Sequence, residues 1–193
     1  MYNNLFEGEL VRLTAEEPEA MAKAYSAWAA ADSEYQRMLD TSAASLFSVK
    51  KWKEWLEKDL EKDPSTFYGF CIRTLADDRL IGFVGLDGNV VPHGEAFVGI
   101  GIGDRKDWSR GYGTDAMRLA LRYAFMELNL RRVSLNAFEY NPRGLRSYEK
   151  AGFRHEGRQR QYLKRDGKRW DLVYMGILRE EWMEMYQNEY TRT

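Results

Sequence analysis

The spacing of apolar residues along this chain switches between a strand-like and a helix-like rhythm, and each switch marks an element. Glu9–Thr14 predicts an opening strand, and the Ala-, Glu-, Lys- and Met-rich stretch Ala15–Ala30 predicts a helix. A polar connector is expected from Asp32 to Phe47. Ser48 then stands as N-cap to a second helix, in which Val49, Trp52, Leu56 and Leu60 recur at helical spacing until Asp63-Pro64 ends it. Phe67–Thr74 and Leu80–Leu86 read as strands around a turn at Asp77-Asp78-Arg79, and a Gly/Asn/Pro-containing connector leads on to Glu95. In the next strand, Phe97–Gly103, period-two geometry puts Val98, Ile100 and Ile102 on one face and Gly99, Gly101 and Gly103 on the other. A face of glycines marks a close approach, by a packed helix or by a ligand.

Tyr112–Leu128 predicts a strong helix with Met117, Ala120, Leu121, Ala124 and Leu128 as its buried stripe. Leu130–Phe138 is the strand after it. Asn141-Pro142 pairs an N-cap residue with proline at the first helical position, and Gly152 followed by Phe153 closes that helix. Arg158–Arg165 and Lys168–Ile177 flank Asp166-Gly167, a preferred pair for a two-residue type I′ turn. With no internal repeat, low-complexity tract or linker, the expectation is one α+β domain over residues 1–193.

Composition narrows the function classes. At 193 residues the chain is long enough for one full core. Its net charge of -1 gives no support to a general nucleic-acid or membrane-surface role. An Arg/Lys-rich stretch from Arg143 to Arg169 is interleaved with acidic residues, which weakens a nucleic-acid reading further. The single cysteine, Cys71, excludes an intramolecular disulfide and a Cys-based zinc site, and His93 and His155 form no ligand pattern, so no metal is expected. Met1-Tyr-Asn-Asn-Leu-Phe-Glu7 has neither a basic n-region nor a long apolar run. No signal peptide or membrane span is expected, and the compartment expected is the cytoplasm.

The chemistry concentrates where the glycine-faced strand runs into the long helix. Gly111 and Gly113 remove Cβ atoms from the turn, and the helix start offers unpaired N–H groups and the positive end of its dipole, so the segment suits a phosphate or pyrophosphate. No Gly-x-x-x-x-Gly-Lys-Ser/Thr loop occurs, and Lys106 stands where a dinucleotide fingerprint begun by Gly101 and Gly103 needs its third glycine. What fits is Trp108-Ser109-Arg110-Gly111-Tyr112-Gly113-Thr114, which resembles the Gln/Arg-x-x-Gly-x-Gly/Ala acyl-CoA loop of the GNAT acetyltransferase superfamily. Trp108 departs from the first position, and is what the ribosomal-protein N-terminal acetyltransferase-like (RimJ/RimL-like) branch carries there. A second motif follows at the family's distance, Asn141-Pro-Arg-Gly-Leu-Arg-Ser-Tyr148-Glu-Lys-Ala-Gly-Phe153, with Gly144 in place of the usual Ala or Ser.

The resemblance implies the GNAT fold: a mixed, mostly antiparallel sheet with helices on both faces and splayed central strands. It implies acetyl-CoA as co-substrate, with Ile100, Ile102, Trp108, Ser109, Arg110, Gly111, Tyr112, Gly113, Thr114, Asn141 and Arg146 at the cofactor. A backbone N–H near Ile100 would steady the thioester oxygen, and Tyr148 would be the general acid. Arg105, Lys106 and Arg143 are further cations near the phosphate loop. Tyr35, Phe47 and Trp55 are candidates for shaping the acceptor pocket. The base is open, because Asn136 stands where some relatives carry Glu; deprotonation then falls to another group such as Glu95 or Glu139, through ordered water, or to bulk solvent. The acceptor implied is a primary amine, on a protein N-terminus or on a small molecule such as a polyamine or aminoglycoside, and a homodimer is implied. The competing class is an acyl-CoA-binding module without turnover.

Overall fold

The computed structural model describes residues 4–60, 67–87 and 93–190. In chain order they form β1 (Val11–Thr14), α1 (Pro18–Ala31), α2 (Ser33–Leu39), α3 (Val49–Leu60), β2 (Phe67–Thr74), β3 (Leu80–Asp87) and β4 (Glu95–Ile102). Then come α4 (Tyr112–Arg122), β5 (Arg132–Phe138), α5 (Pro142–Lys150), β6 (Arg154–Arg165), β7 (Lys168–Leu178) and α6 (Arg179–Tyr190). The strands build one seven-stranded sheet in the order β1-β2-β3-β4-β5-β7-β6. Every neighbouring pair is antiparallel except β4 and β5, which run parallel. This is the mixed, mostly antiparallel sheet expected.

Two apolar layers cover the sheet. On one face α4 buries Ala116, Met117, Ala120 and Leu121, and the turn after it Ala124, against Ile72, Val84, Leu135 and Met175. On the other, Met21, Tyr25 and Trp28 of α1, Tyr35 of α2 and Leu56 of α3 pack with Cys71. Adjacent residues Cys71 and Ile72 therefore serve opposite cores, as a two-residue strand period requires. Ser48 caps α3 through its Oγ, which accepts from Lys51 N at 3.3 Å. Gly152 takes φ 101°, and Asp166 and Gly167 take φ 52° and 73°, the paired positive values of the expected hairpin turn.

Several elements differ from expectation. The connector from Asp32 to Phe47 contains α2, a seven-residue helix capped by Asp32, whose carboxylate accepts from Glu34 N at 2.9 Å. Only Tyr35 of that helix is buried, so two turns of mostly polar residues gave no periodic signal. The helix after the glycine loop finishes in a wide π turn, Tyr123–Glu127. β6 begins four residues before the expected hairpin arm, and α6 follows β7 directly. The expected stop at Asp63-Pro64, the side chain of Leu60 and residues 88–92 of the connector lie outside the described residues.

The glycine face of β4 is resolved by what covers it. A Cβ on Gly103 would fall inside the Trp28 indole, and one on Gly101 would meet Phe83 and Leu39 at 2.7 and 3.1 Å. Gly99 has nothing within 4 Å. The glycines at the end of the strand thus admit side chains of α1, α2 and β3, and only Gly99 is open. Gly103→Ala is expected to lower unfolding stability by about 1–3 kcal/mol through overpacking. A urea titration with an unchanged midpoint would show that the Trp28 contact is not tight.

Candidate active site

The site begins where the sheet comes apart. β4 and β5 are paired over Glu95↔Arg132, Ala96↔Val133 and Phe97↔Ser134 and no further. β4 stays on β3 as far as Ile102, and β5 stays on β7 as far as Phe138. The two strands therefore open into a V. Gly103 N–H donates to Ile81 O on the β3 side at 2.9 Å, so by alternation Val98, Ile100 and Ile102 direct their main-chain groups into the gap. A ladder edge inside the sheet is exposed without making the sheet's own edge longer.

The loop after β4 is held in place from several sides. Trp108 Nε1 donates to Ile102 O at 2.7 Å, pinning the loop to the end of the strand. The buried Asp107 carboxylate accepts two hydrogen bonds from Arg79, each at 3.0 Å, the bidentate geometry that fixes a guanidinium most firmly. Ser109 and Gly111 take φ 60° and 89°, two left-handed residues that turn the chain into α4. Asp115 N bonds back to Gly111 O at 3.0 Å, so the N–H groups of Tyr112, Gly113 and Thr114 precede the first intrahelical bond. The Asp115 carboxylate is turned the other way, accepting from Leu10 N at 2.8 Å and Val11 N at 3.0 Å. Thr114 and Ser147 join hydroxyls at 2.9 Å, which sets α5 beside the start of α4.

Around this corner lies a cavity of about 400 Å³, within the range of small-molecule sites. Ile100, Ile102, Trp108, Ser109, Gly111, Tyr112, Gly113, Thr114, Asn141, Arg146 and Tyr148 all line it. Arg110 is exposed on the loop and does not. Of the other cations, Arg105 is bound to Asp32 and Glu34 of the α2 cap and Lys106 to Asp104, while Arg143 and Lys150 reach the lining. Asn141 is nearly buried; its Oδ1 caps α5 by accepting from Gly144 N at 2.9 Å. A Cβ on residue 144 would come within 2.5 Å of the Asn141 amide, so glycine there leaves this carboxamide its room. Tyr148 makes an edge contact with Phe153 at 6.4 Å, and burial pushes its phenol up to about 12. The phenol keeps its proton throughout the physiological range.

On the opposite face α2 supplies Tyr35, Met38 and Leu39 to the lining, of which Met38 and Leu39 are not among the residues expected at the site. Tyr35 was an acceptor-pocket candidate; Phe47 and Trp55 do not reach the cavity. The two alternative bases also lie elsewhere. Glu95 sits at the closed end of the V, where its Oε1 accepts from Ser134 at 2.7 Å and Arg132 at 3.1 Å. The Ser134 hydrogen bond and the Arg132 charge hold its carboxyl below the usual range. Glu139 accepts from Asp171 N at 3.0 Å, and Asn136 is exposed on β5 outside the lining.

A family model described as an acetyltransferase (GNAT) domain matches residues 9–154. The chain belongs to the GNAT acetyltransferase family. As such it is an acetyl-CoA-dependent N-acetyltransferase. A probable N-acetyltransferase of Bacillus subtilis, YjcK, is 37% identical over 131 residues, covering 67% of this chain and 68% of that protein. A putative ribosomal N-acetyltransferase of the same organism, YdaF, is 30% identical over 135 residues, covering 70% and 73%. Among solved structures, a spermidine N-acetyltransferase from Vibrio cholerae in complex with CoA and spermine superposes with a TM-score of 0.75 at 22% identity, covering 90% of this chain and 98% of that one. That likeness shows the fold.

In this GNAT domain α2 is anchored from the hairpin turn. Arg165, at the end of β6, donates to Arg37 O at 2.5 Å, Tyr140 Oη at 2.6 Å and Ser42 O at 3.1 Å. Tyr140 Oη itself donates to Arg37 O at 2.6 Å, and Arg37 pairs with Asp166. A guanidinium thus closes the C-terminal end of the helix that walls the cavity. Arg165→Ala is expected to cost about 2 kcal/mol, in the range for hydrogen bonds from a charged group. Steady-state kinetics should show a larger rise in acceptor KM than in acetyl-CoA KM; equal rises would mean that α2 does not shape the acceptor end.

Proposed function

We propose that the enzyme acetylates the α-amino group of a peptide or protein, by direct attack of the amine within a ternary complex. The observation that carries this reading is a cavity lined from both faces of the parted sheet, by the loop, α4 and α5 on one side and by α2 on the other. Donor and acceptor then enter from opposite faces and meet at the opening beside Ile100. The residues fit acetyl-CoA: the unpaired N–H groups of Tyr112–Thr114 and the left-handed loop suit its diphosphate, and the parted edge of β4 suits its amide-bearing arm. Acetyl-CoA supplies an activated acyl group as a thioester. The chain supplies the rest: the main-chain N–H of Ile100 as donor to the carbonyl oxygen, Asn141 beside the arm, and Tyr148 as the acid that protonates the departing sulfur.

The choice of an α-amine follows from protonation. Among the described residues that line the cavity, the one carboxylate is Asp107, and it is committed to Arg79. The acceptor therefore loses its proton to solvent. An α-amine of pKa ~7.7–8.0 is free in about one molecule in ten at pH 7, whereas an aliphatic amine of pKa ~10.4 is free in fewer than about one in a thousand. The difference is worth about 3 kcal/mol of barrier. One relative, named as a putative ribosomal N-acetyltransferase, supports the same class.

Two outcomes are expected. Tyr148→Phe should lower kcat by about 10²–10⁴-fold with acetyl-CoA affinity unchanged; full activity would remove Tyr148 from the chemistry. With N-terminal peptides, kcat/KM should rise about tenfold per pH unit and level off near the α-amine's own pKa of ~8. A panel including spermidine decides the class: selective turnover of spermidine over the peptides would overturn the α-amine reading.

A further inference from the structure

The family loop begins with Gln or Arg, and this chain has Trp108 there. An indole can donate one hydrogen bond, and Trp108 spends it on Ile102 O. Residue 108 therefore has no polar group left to offer an anion beside the turn. The structure shows what stands over the ring instead. The Arg143 guanidinium carbon lies 3.7 Å from the Trp108 ring centroid, well within the reach of a cation–π contact. Arg105 lies over the same ring at 4.9 Å, but its nitrogens are bound to Asp32 and Glu34. Arg143 forms no hydrogen bond or ion pair with a described residue. It is half-buried and lines the cavity. Burial pushes its pKa down, and the nearby charges of Glu34 and Asp32 offset that only in part.

Its position is fixed from both ends. Arg143 lies in the first turn of α5, which Asn141 caps, and Ser147 one turn later is joined to Thr114 of α4. The guanidinium is thus held between the capped start of α5 and the loop that opens α4, with donors available on the cavity side. Stacking uses the face of a guanidinium and leaves its edge N–H groups free, and the edge is what a phosphate takes.

We propose that Arg143, seated on the Trp108 ring, is the side chain that reads the donor's diphosphate, and that Trp108 is its positioning residue. The pair supplies, from α5, a polar group that Trp108 itself does not offer. The proposal rests on the acetyl-CoA reading of the cavity and assigns one cation within it. Arg146 and Lys150, exposed on the same helix, are the cations it sets aside.

The test is a calorimetric titration of the full chain with CoA and with dephospho-CoA, beside turnover of S-acetylpantetheine, which carries no phosphate. Arg143→Ala should weaken CoA and dephospho-CoA alike by about 10–100-fold, as for a lost charge-assisted hydrogen bond, and flatten the salt dependence of binding. Turnover of S-acetylpantetheine should be unchanged. Arg143→Lys should recover part of the loss. Trp108→Phe and Trp108→Leu both lose the Nε1 bond to Ile102 O, but only Phe keeps a ring under the guanidinium. Trp108→Phe should therefore bind CoA more tightly than Trp108→Leu, and Arg143→Ala should weaken binding further in the Phe background than in the Leu background. Unchanged CoA affinity in Arg143→Ala overturns the assignment, as does an equal loss with S-acetylpantetheine, which would mark a structural role. A loss seen with CoA but not with dephospho-CoA moves the cation to the 3′-phosphate and refutes the diphosphate assignment. Absence of CoA binding by the wild-type chain would instead sink the underlying acetyl-CoA reading, and the inference with it.

Discussion

The parting of β4 from β5 is the constraint on which the rest of this structure depends. Two parallel strands share three residue pairs and then diverge, each still held by its antiparallel neighbour on the far side. An interrupted ladder inside a sheet leaves main-chain donors and acceptors unpaired, which burial would penalise. Here they face a cavity, and an amide-bearing ligand can take the place of the missing strand. The closed end of the V is braced by charge rather than by packing alone: Arg132 spans Glu95 and Glu156, and Ser134 adds its hydroxyl to Glu95. The carboxylate that sequence position offered as a base is thus part of the brace that stops the V from opening further.

Everything at the open end serves to hold one loop at the tip of β4. Trp108 ties it to Ile102, Arg79 ties it through Asp107, and α1 closes over Gly103 with Trp28. The start of α4 is fixed from behind, where Asp115 accepts main-chain hydrogen bonds from residues 9–11. This carboxylate near a helix N-terminus is favourable for the helix dipole, yet it is directed toward β1 and stays out of the cavity lining. The N–H groups of the first turn are thereby stabilised and still available on the cavity side.

Much of this was legible in the residues. The alternation in β4, the cap at Asn141-Pro142, the left-handed stop at Gly152 and the Asp166-Gly167 turn are local signals with local causes, and the structure places each where they point. The loop and α5 motifs also located most of the cavity lining. What was not legible depends on contacts distant in sequence. α2 is seven residues with one buried side chain, and it is held by Arg165 more than a hundred residues away, so no window of sequence contains its reason for being there. The same holds for Arg79 at Asp107 and Arg143 over Trp108: each is a long-range choice among several nearby cations. The glycines of β4 were ambiguous for a related reason, since a missing Cβ announces a close approach without naming the visitor. Trp28 is that visitor at Gly103.

Amide hydrogen exchange with and without CoA bears most directly on the parted sheet. On this structure, CoA should slow exchange at Ile100 and its alternating neighbours on β4, and at Tyr112, Gly113 and Thr114, while leaving the β2–β3 ladder as it was. Binding that protects the first turn of α4 but leaves Ile100 unaltered would mean that the opened edge of β4 is not where the donor lies, and the reading of the V as the meeting point of donor and acceptor would be wrong.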